Sequence, residues 1–140
     1  MHPRIRCVTI YCLVQLLLSA TVGSSSLESN PPQVNGVLIA YDGDQISLTC
    51  SHNNLGTGVT KWSFTSPVDC IEAIDHNPPI TTRSCGPFTF ERITELSGSV
   101  LNSTAVATAS ASMNGAVVEC RDSAGVSFNL IGNITLCIIG

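Results

Sequence analysis

Residues 43–50 read Gly43-Asp44-Gln45-Ile46-Ser47-Leu48-Thr49-Cys50. Ile46, Leu48 and Cys50 alternate with Ser47 and Thr49, and a period of two puts the first three on one face of a β-strand and the polar pair on the other. Asp42, Gly43 and Asp44 supply the turn that leads in. Further on, Val59 to Phe64 alternates in the same way, with Thr60, Trp62 and Phe64 on one face and Lys61 and Ser63 on the other. A third segment, Ala116 to Arg121, sets Val118 and Cys120 against Val117, Glu119 and Arg121. Cys50, Trp62 and Cys120 therefore share inward parity on three separate strands.

The rest of the chain is short apolar runs broken by turn residues. His52 to Gly58 reads as a Gly/Asn-rich loop. Residues 66–87 are the least regular part, with Pro67, Pro78, Pro79, Gly86 and Pro87, and a loop this long needs something to pin it. A Cys70–Cys85 bridge would do so; closing a loop of ~15 residues is worth about 3 kcal/mol in the chain-entropy description. Strand character resumes over Pro87 to Ile93 and Val100 to Ala111, turns are expected at Asn114-Gly115 and Asp122 to Gly125, and Val126 to Ile139 forms the last strand or a broken pair of strands, interrupted at Gly132. No stretch carries sustained helical periodicity. About seven short strands at turn-separated intervals argue for an all-β fold, a two-sheet antiparallel sandwich.

The Cys50, Trp62, Cys120 arrangement resembles the immunoglobulin superfamily, in which a disulfide joins the two sheets and a tryptophan packs on it. Gly43 to Cys50 looks like that family's second strand, and Gly132 to Ile138 like its final one. The resemblance covers residues 34–139 and implies an immunoglobulin-like sandwich with Greek-key connections, a Cys50–Cys120 bond and Trp62 in the core. It departs from the family in one place. The tyrosine two residues before the second cysteine is absent; Asn114, Gly115 and Val118 stand in that region, so apolar packing is expected to replace the lock.

The front of the chain is different in kind. Arg4 and Arg6 precede an apolar run from Cys7 to Val22 that includes Gln15 and ends in small residues, the pattern of a secretory signal peptide cleaved after Gly23 or Ser24. Residues 24–33 read as a flexible, extended lead-in with no means of packing, and residues 34–140 as the domain. Without residues 1–23 the net charge moves from −4 to −6, with Lys61, Arg83, Arg92 and Arg121 the remaining basic residues. So acidic a chain lacks the footprint for nucleic acid or anionic lipid. The expected location is extracellular, without a membrane span in the chain. Gly140 follows directly on the last strand, which reads as the end of a first module of a longer receptor or of a truncated product.

Five cysteines remain beyond the leader, an odd number, and none has zinc or CxxC spacing. Strand parity turns Ile134, Leu136 and Ile138 inward and Cys137 outward, where it is expected to stay unpaired, to bond Cys70 or Cys85 across the outside of the sheet, or to link a disulfide-bonded homodimer. Asn102-Ser103-Thr104 and Asn133-Ile134-Thr135 are N-glycosylation acceptors. His52 and His76 read as solvated loop residues, Asp42 and Asp44 as a turn and not a calcium loop, and no phosphate-cradling glycine motif occurs; neither catalysis nor a cofactor or metal is expected. The resemblance implies an extracellular recognition module acting in adhesion, cell-surface recognition or immune-type sensing on a protein or glycan ligand. The candidate binding face is Lys61, Ser63, Val117, Glu119 and Arg121. Alternatives are a secreted disulfide-rich inhibitor and a disulfide-linked structural oligomer.

Overall fold

The computed structural model describes residues 25–53, 58–76, 83–91, 100–124 and 127–140. The expected signal peptide and residues within the β3–β4, β5–β6, β7–β8 and β9–β10 connections lie outside the described residues. Ten strands follow in chain order: β1 Ser26–Asn30, β2 Val37–Tyr41, β3 Gln45–Asn53, β4 Val59–Phe64, β5 Cys70–Asp75, β6 Arg83–Cys85, β7 Phe88–Glu91, β8 Val100–Thr108, β9 Val117–Ala124 and β10 Ser127–Ile139. They form two five-stranded sheets, β1-β3-β8-β7-β6 and β2-β10-β9-β4-β5. Every pairing is antiparallel except β2 with β10. The chain crosses from β3 to β4 and later from β8 to β9, with β8 returning beside β3 and β9 beside β4, which is a Greek-key connection.

The two sheets meet over a core assembled by the alternating residues. Ile46, Leu48 and Cys50 from β3 face Trp62, Phe64, Val118 and Cys120 from β4 and β9, and each is buried. Cys50 and Cys120 are bonded between the sheets with their Cα atoms 6.3 Å apart. In the entropic description a loop closed over a separation of 70 residues contributes about 4 kcal/mol. Trp62 is the register partner of Cys120, and Ser103 is the register partner of Cys50. The indole Nε1 of Trp62 donates to Ser103 Oγ at 2.8 Å, so the disulfide and this hydrogen bond join the same two cross-strand pairs. Phe64 stacks on Phe88 with centroids 4.6 Å apart, and Trp62 packs on Phe90 at 5.7 Å, which carries the aromatic layer from one sheet to the other.

Several expectations are corrected. Ser26–Asn30 does not lie loose: it is an edge strand paired along its length with β3, and Leu27 is 8% exposed. The contact that holds Leu27 is with Gly132 on the opposite sheet, where a Cβ would stand 3.1 Å from the Leu27 Cβ. Gly132 thus leaves room for a leucine, and β10 passes through it with a register shift between Leu130 and Gly132 and does not break. Residues 66–87 contain β5 and β6 instead of one long loop, and ten strands lie among the described residues where about seven were expected. β3 continues through His52 and Asn53, and β9 through Asp122 to Ala124, past the positions where a loop and a turn were expected.

Between the sheets' first strands, Gly36 has φ +79°, a left-handed conformation that suits glycine, and its N–H donates to Gln33 Oε1 at 2.6 Å. This turn sends the chain from β1 in one sheet to β2 in the other. At the far end, around residues 113–116, packing and hydrogen bonding act together. Met113 and Ala116 are buried, and the Ile138 N–H donates to Asn114 Oδ1 at 2.9 Å.

Replacing Ser103 by Ala leaves the buried indole N–H of Trp62 without an acceptor and is expected to cost about 1–3 kcal/mol. Urea denaturation should show a lower midpoint with an unchanged slope. For the amino-terminal strand, Leu27→Asp should destabilise by ~2 kcal/mol or more, since it removes a buried leucine and sets a carboxylate against Gly132. Glu28→Lys, at the exposed neighbouring position, should stay within about 0.5 kcal/mol. Equal effects from the two substitutions would contradict the packing of β1.

Candidate binding face

The outer face of the β2-β10-β9-β4-β5 sheet brings together the five residues singled out from the sequence. Strand register sets them in rows. Lys61 lies between Arg121 on β9 and Ala73 on β5, and Ser63 lies between Glu119 and Ile71. Glu119 is next to Asn133, and Val117 is next to Thr135. Lys61, Ser63, Val117, Glu119 and Arg121 are all half-buried. Arg121 Nη2 and Glu119 Oε2 form an ion pair at 3.1 Å. Half-exposed, such a pair adds on the order of 0–1 kcal/mol, so it fixes the direction of two charges more than it stabilises the fold.

The structure adds residues that sequence reasoning missed. Ile71 is 65% exposed and Leu130 is 47% exposed, at opposite ends of the Lys61 and Ser63 rows, and Ala73 is exposed beside Lys61. The face is therefore a charged and polar centre flanked by solvent-facing aliphatic side chains. The opposite outer face differs. Around its centre Thr49 and Thr104 hydroxyls lie 3.0 Å apart, and Ser51 Oγ donates to Asn102 Oδ1.

One side of the sandwich is clipped shut. Cys70 on β5 is bonded to Cys85 on β6, with Cα atoms 5.6 Å apart, and Arg83 on β6 pairs with Glu72 on β5. The clip joins the edge strands of the two sheets. Cys137 is corrected on two counts. It is 1% exposed and not at the surface, and it is disulfide-bonded, so it is not left unpaired. Cys70 and Cys85 are each other's partners. Its parity does place it on the outer side of β10, next to Ile39 in register, but that part of the face is covered.

The histidines are also corrected: His52 is 2% exposed and His76 is 0% exposed, so neither is a solvated loop residue. Both reach Thr60, with His52 Nε2 at 2.7 Å and His76 Nε2 at 2.8 Å from its hydroxyl. His52 Nδ1 lies 3.0 Å from the Asn53 carbonyl, which only accepts, so Nδ1 carries a hydrogen. With uncharged rings the bonds then run one way: His76 donates to Thr60, and Thr60 donates to His52. Asp122, the register partner of Thr60, is 8% exposed and its Oδ1 has no hydrogen-bond partner. Thr60 and His76 are closed to solvent, so this cluster serves as a polar plug between the sheets. Among the described residues no group of three or more His, Cys, Asp or Glu is arranged to hold a metal ion, and no helix is long and apolar enough to cross a membrane.

Thr60→Val keeps the shape but leaves two buried imidazole nitrogens unpaired. An expected loss of about 2–4 kcal/mol follows from the penalty per orphaned polar group, to be read from thermal or urea unfolding. A change below 0.5 kcal/mol would contradict the plug.

No family model matches the chain, and no curated protein matches it in sequence.

Proposed function

We propose that this chain is an extracellular recognition module of immunoglobulin type that binds a protein partner through the outer face of the β2-β10-β9-β4-β5 sheet. The observation that carries the reading is the exposed pair Ile71 and Leu130 bracketing the half-buried Lys61, Arg121 and Glu119. Aliphatic side chains that remain in water gain about 25 cal/mol per Å2 when a partner covers them. The fixed Arg121–Glu119 pair supplies orientation. The immunoglobulin assignment rests on the Cys50–Cys120 bond, the Trp62 beside it and the placement of β1 and β2 in different sheets. The two disulfides fit an oxidising, extracellular setting. Catalysis has no place in the reading, since the buried histidines are sealed from any substrate.

The test is to secrete the full chain from animal cells, display it as a fluorescent tetramer with and without enzymatic removal of N-linked sugar, and measure binding to a panel of cell types and purified ectodomains. Ile71→Asp and Arg121→Glu should each weaken binding tenfold or more, a loss of about 1.4 kcal/mol. Thr89→Asp, exposed on the other sheet, should leave it unchanged. Binding that survives the first two substitutions and fails in the third would move the site to the opposite sheet.

A further inference from the structure

The proposed face carries an acceptor for N-linked sugar within its own rows. Asn133 is exposed on β10, and its triplet partner Thr135 lies two residues along the same side of the strand. Register places Asn133 at the head of a row that continues through Glu119 and Ser63 to Ile71. At about 4.8 Å between strands that row is ~14 Å long, and Lys61 lies about 12 Å from Asn133 by the same spacing. The second acceptor, Asn102, is on the other sheet, half-buried, with its carbonyl accepting from Ser51. The two triplets therefore point to opposite sides of the sandwich.

We infer that Asn133 carries an N-linked oligosaccharide that lies over the β10-β9-β4-β5 face and screens it, so that glycosylation at this one position decides whether the face is open to a partner. The inference rests on the extracellular reading above, because only an exported chain meets the transferase. In the step itself the Asn133 amide nitrogen bonds to C1 of the first sugar. The bond from C1 to the phosphate of a polyprenyl-diphosphate oligosaccharide breaks, the lipid diphosphate leaves, and the amide gives up one proton. Neither oxidant nor reductant is needed. A group this bulky projects into solvent from an outward strand position without entering the core. The nearest side chains along its row are the ones a protein partner would have to touch.

Lys61 makes the screening measurable without knowing the partner, because it is the chain's one lysine. The full chain secreted from animal cells is treated with a small acylating ester or with a bulky polymer-linked ester, and modification of Lys61 is read by peptide mapping. The quantity is the ratio of the bulky to the small reagent's rate. Mass spectrometry should find Asn133 occupied, and enzymatic removal of the sugar should raise the ratio several-fold. Asn133→Gln and Thr135→Val, which abolish the triplet from either end, should reproduce that rise, while Asn102→Gln should not. An unoccupied Asn133, or a ratio unmoved by removing its sugar, overturns the inference. The readout does not involve binding, so failure of the proposed function appears separately, as loss of partner binding in the sugar-free protein.

Discussion

Everything in this sandwich is hung on one junction, where the Cys50–Cys120 bond and the Trp62–Ser103 hydrogen bond tie the same two cross-strand pairs. A disulfide alone fixes a distance. A second link on the neighbouring strand of each sheet fixes an angle as well, and so sets how the sheets face each other. Both links are buried, so water does not compete for the indole N–H and the hydrogen bond is stronger than at the surface. From that point the aromatic layer of Phe64, Phe88 and Phe90 extends toward one end, and the His52, Thr60 and His76 plug closes the other side of the junction.

Seen from the junction outward, the two sides of the sandwich are closed by different chemistry. The Cys70–Cys85 bond with the Glu72–Arg83 pair joins β5 to β6. Leu27 seated over Gly132 joins β1 to β10. One side is covalent and ionic, and the other is apolar. The outer face of the β2-β10-β9-β4-β5 sheet lies between these closures, which gives its charged centre a rigid backing. Rigid backing lowers the entropy a partner must overcome on binding.

How much of this was legible in the sequence depends on whether alternation was clean. It was clean in Ile46 to Cys50, Val59 to Phe64 and Ala116 to Arg121, and those segments define the fold class, the junction and five of the residues on the face. Where one apolar residue stood alone, as Leu27 does among Ser25, Ser26, Glu28 and Ser29, no period could form and the strand was lost. β5 failed for the opposite reason. Its apolar residues fall on both sides, Ile74 inside and Ile71 in solvent, so parity had nothing to choose between. His52 had a usable signal, since it continues the Ile46, Leu48, Cys50 series by two residues; the histidine's polarity hid it. Cys137 shows the limit of parity, which tells the side of a strand and not what covers that side.

The parallel pairing of β2 with β10 has a mechanical meaning. Val37–Tyr41 runs alongside Thr135–Ile139 over five register pairs, near the two ends of the described chain. Tension between residues 25 and 140 draws these strands past each other lengthwise, because the chain enters β2 and leaves β10 at opposite ends of the pair. Their hydrogen bonds, including Thr135 N–H to the Gly36 carbonyl at 2.7 Å and Asp42 N–H to the Ile139 carbonyl at 2.7 Å, are then loaded together instead of peeling one at a time. A pull along the chain loads the β1–β3 pairing and this shear clamp before it reaches the junction at Cys50 and Cys120.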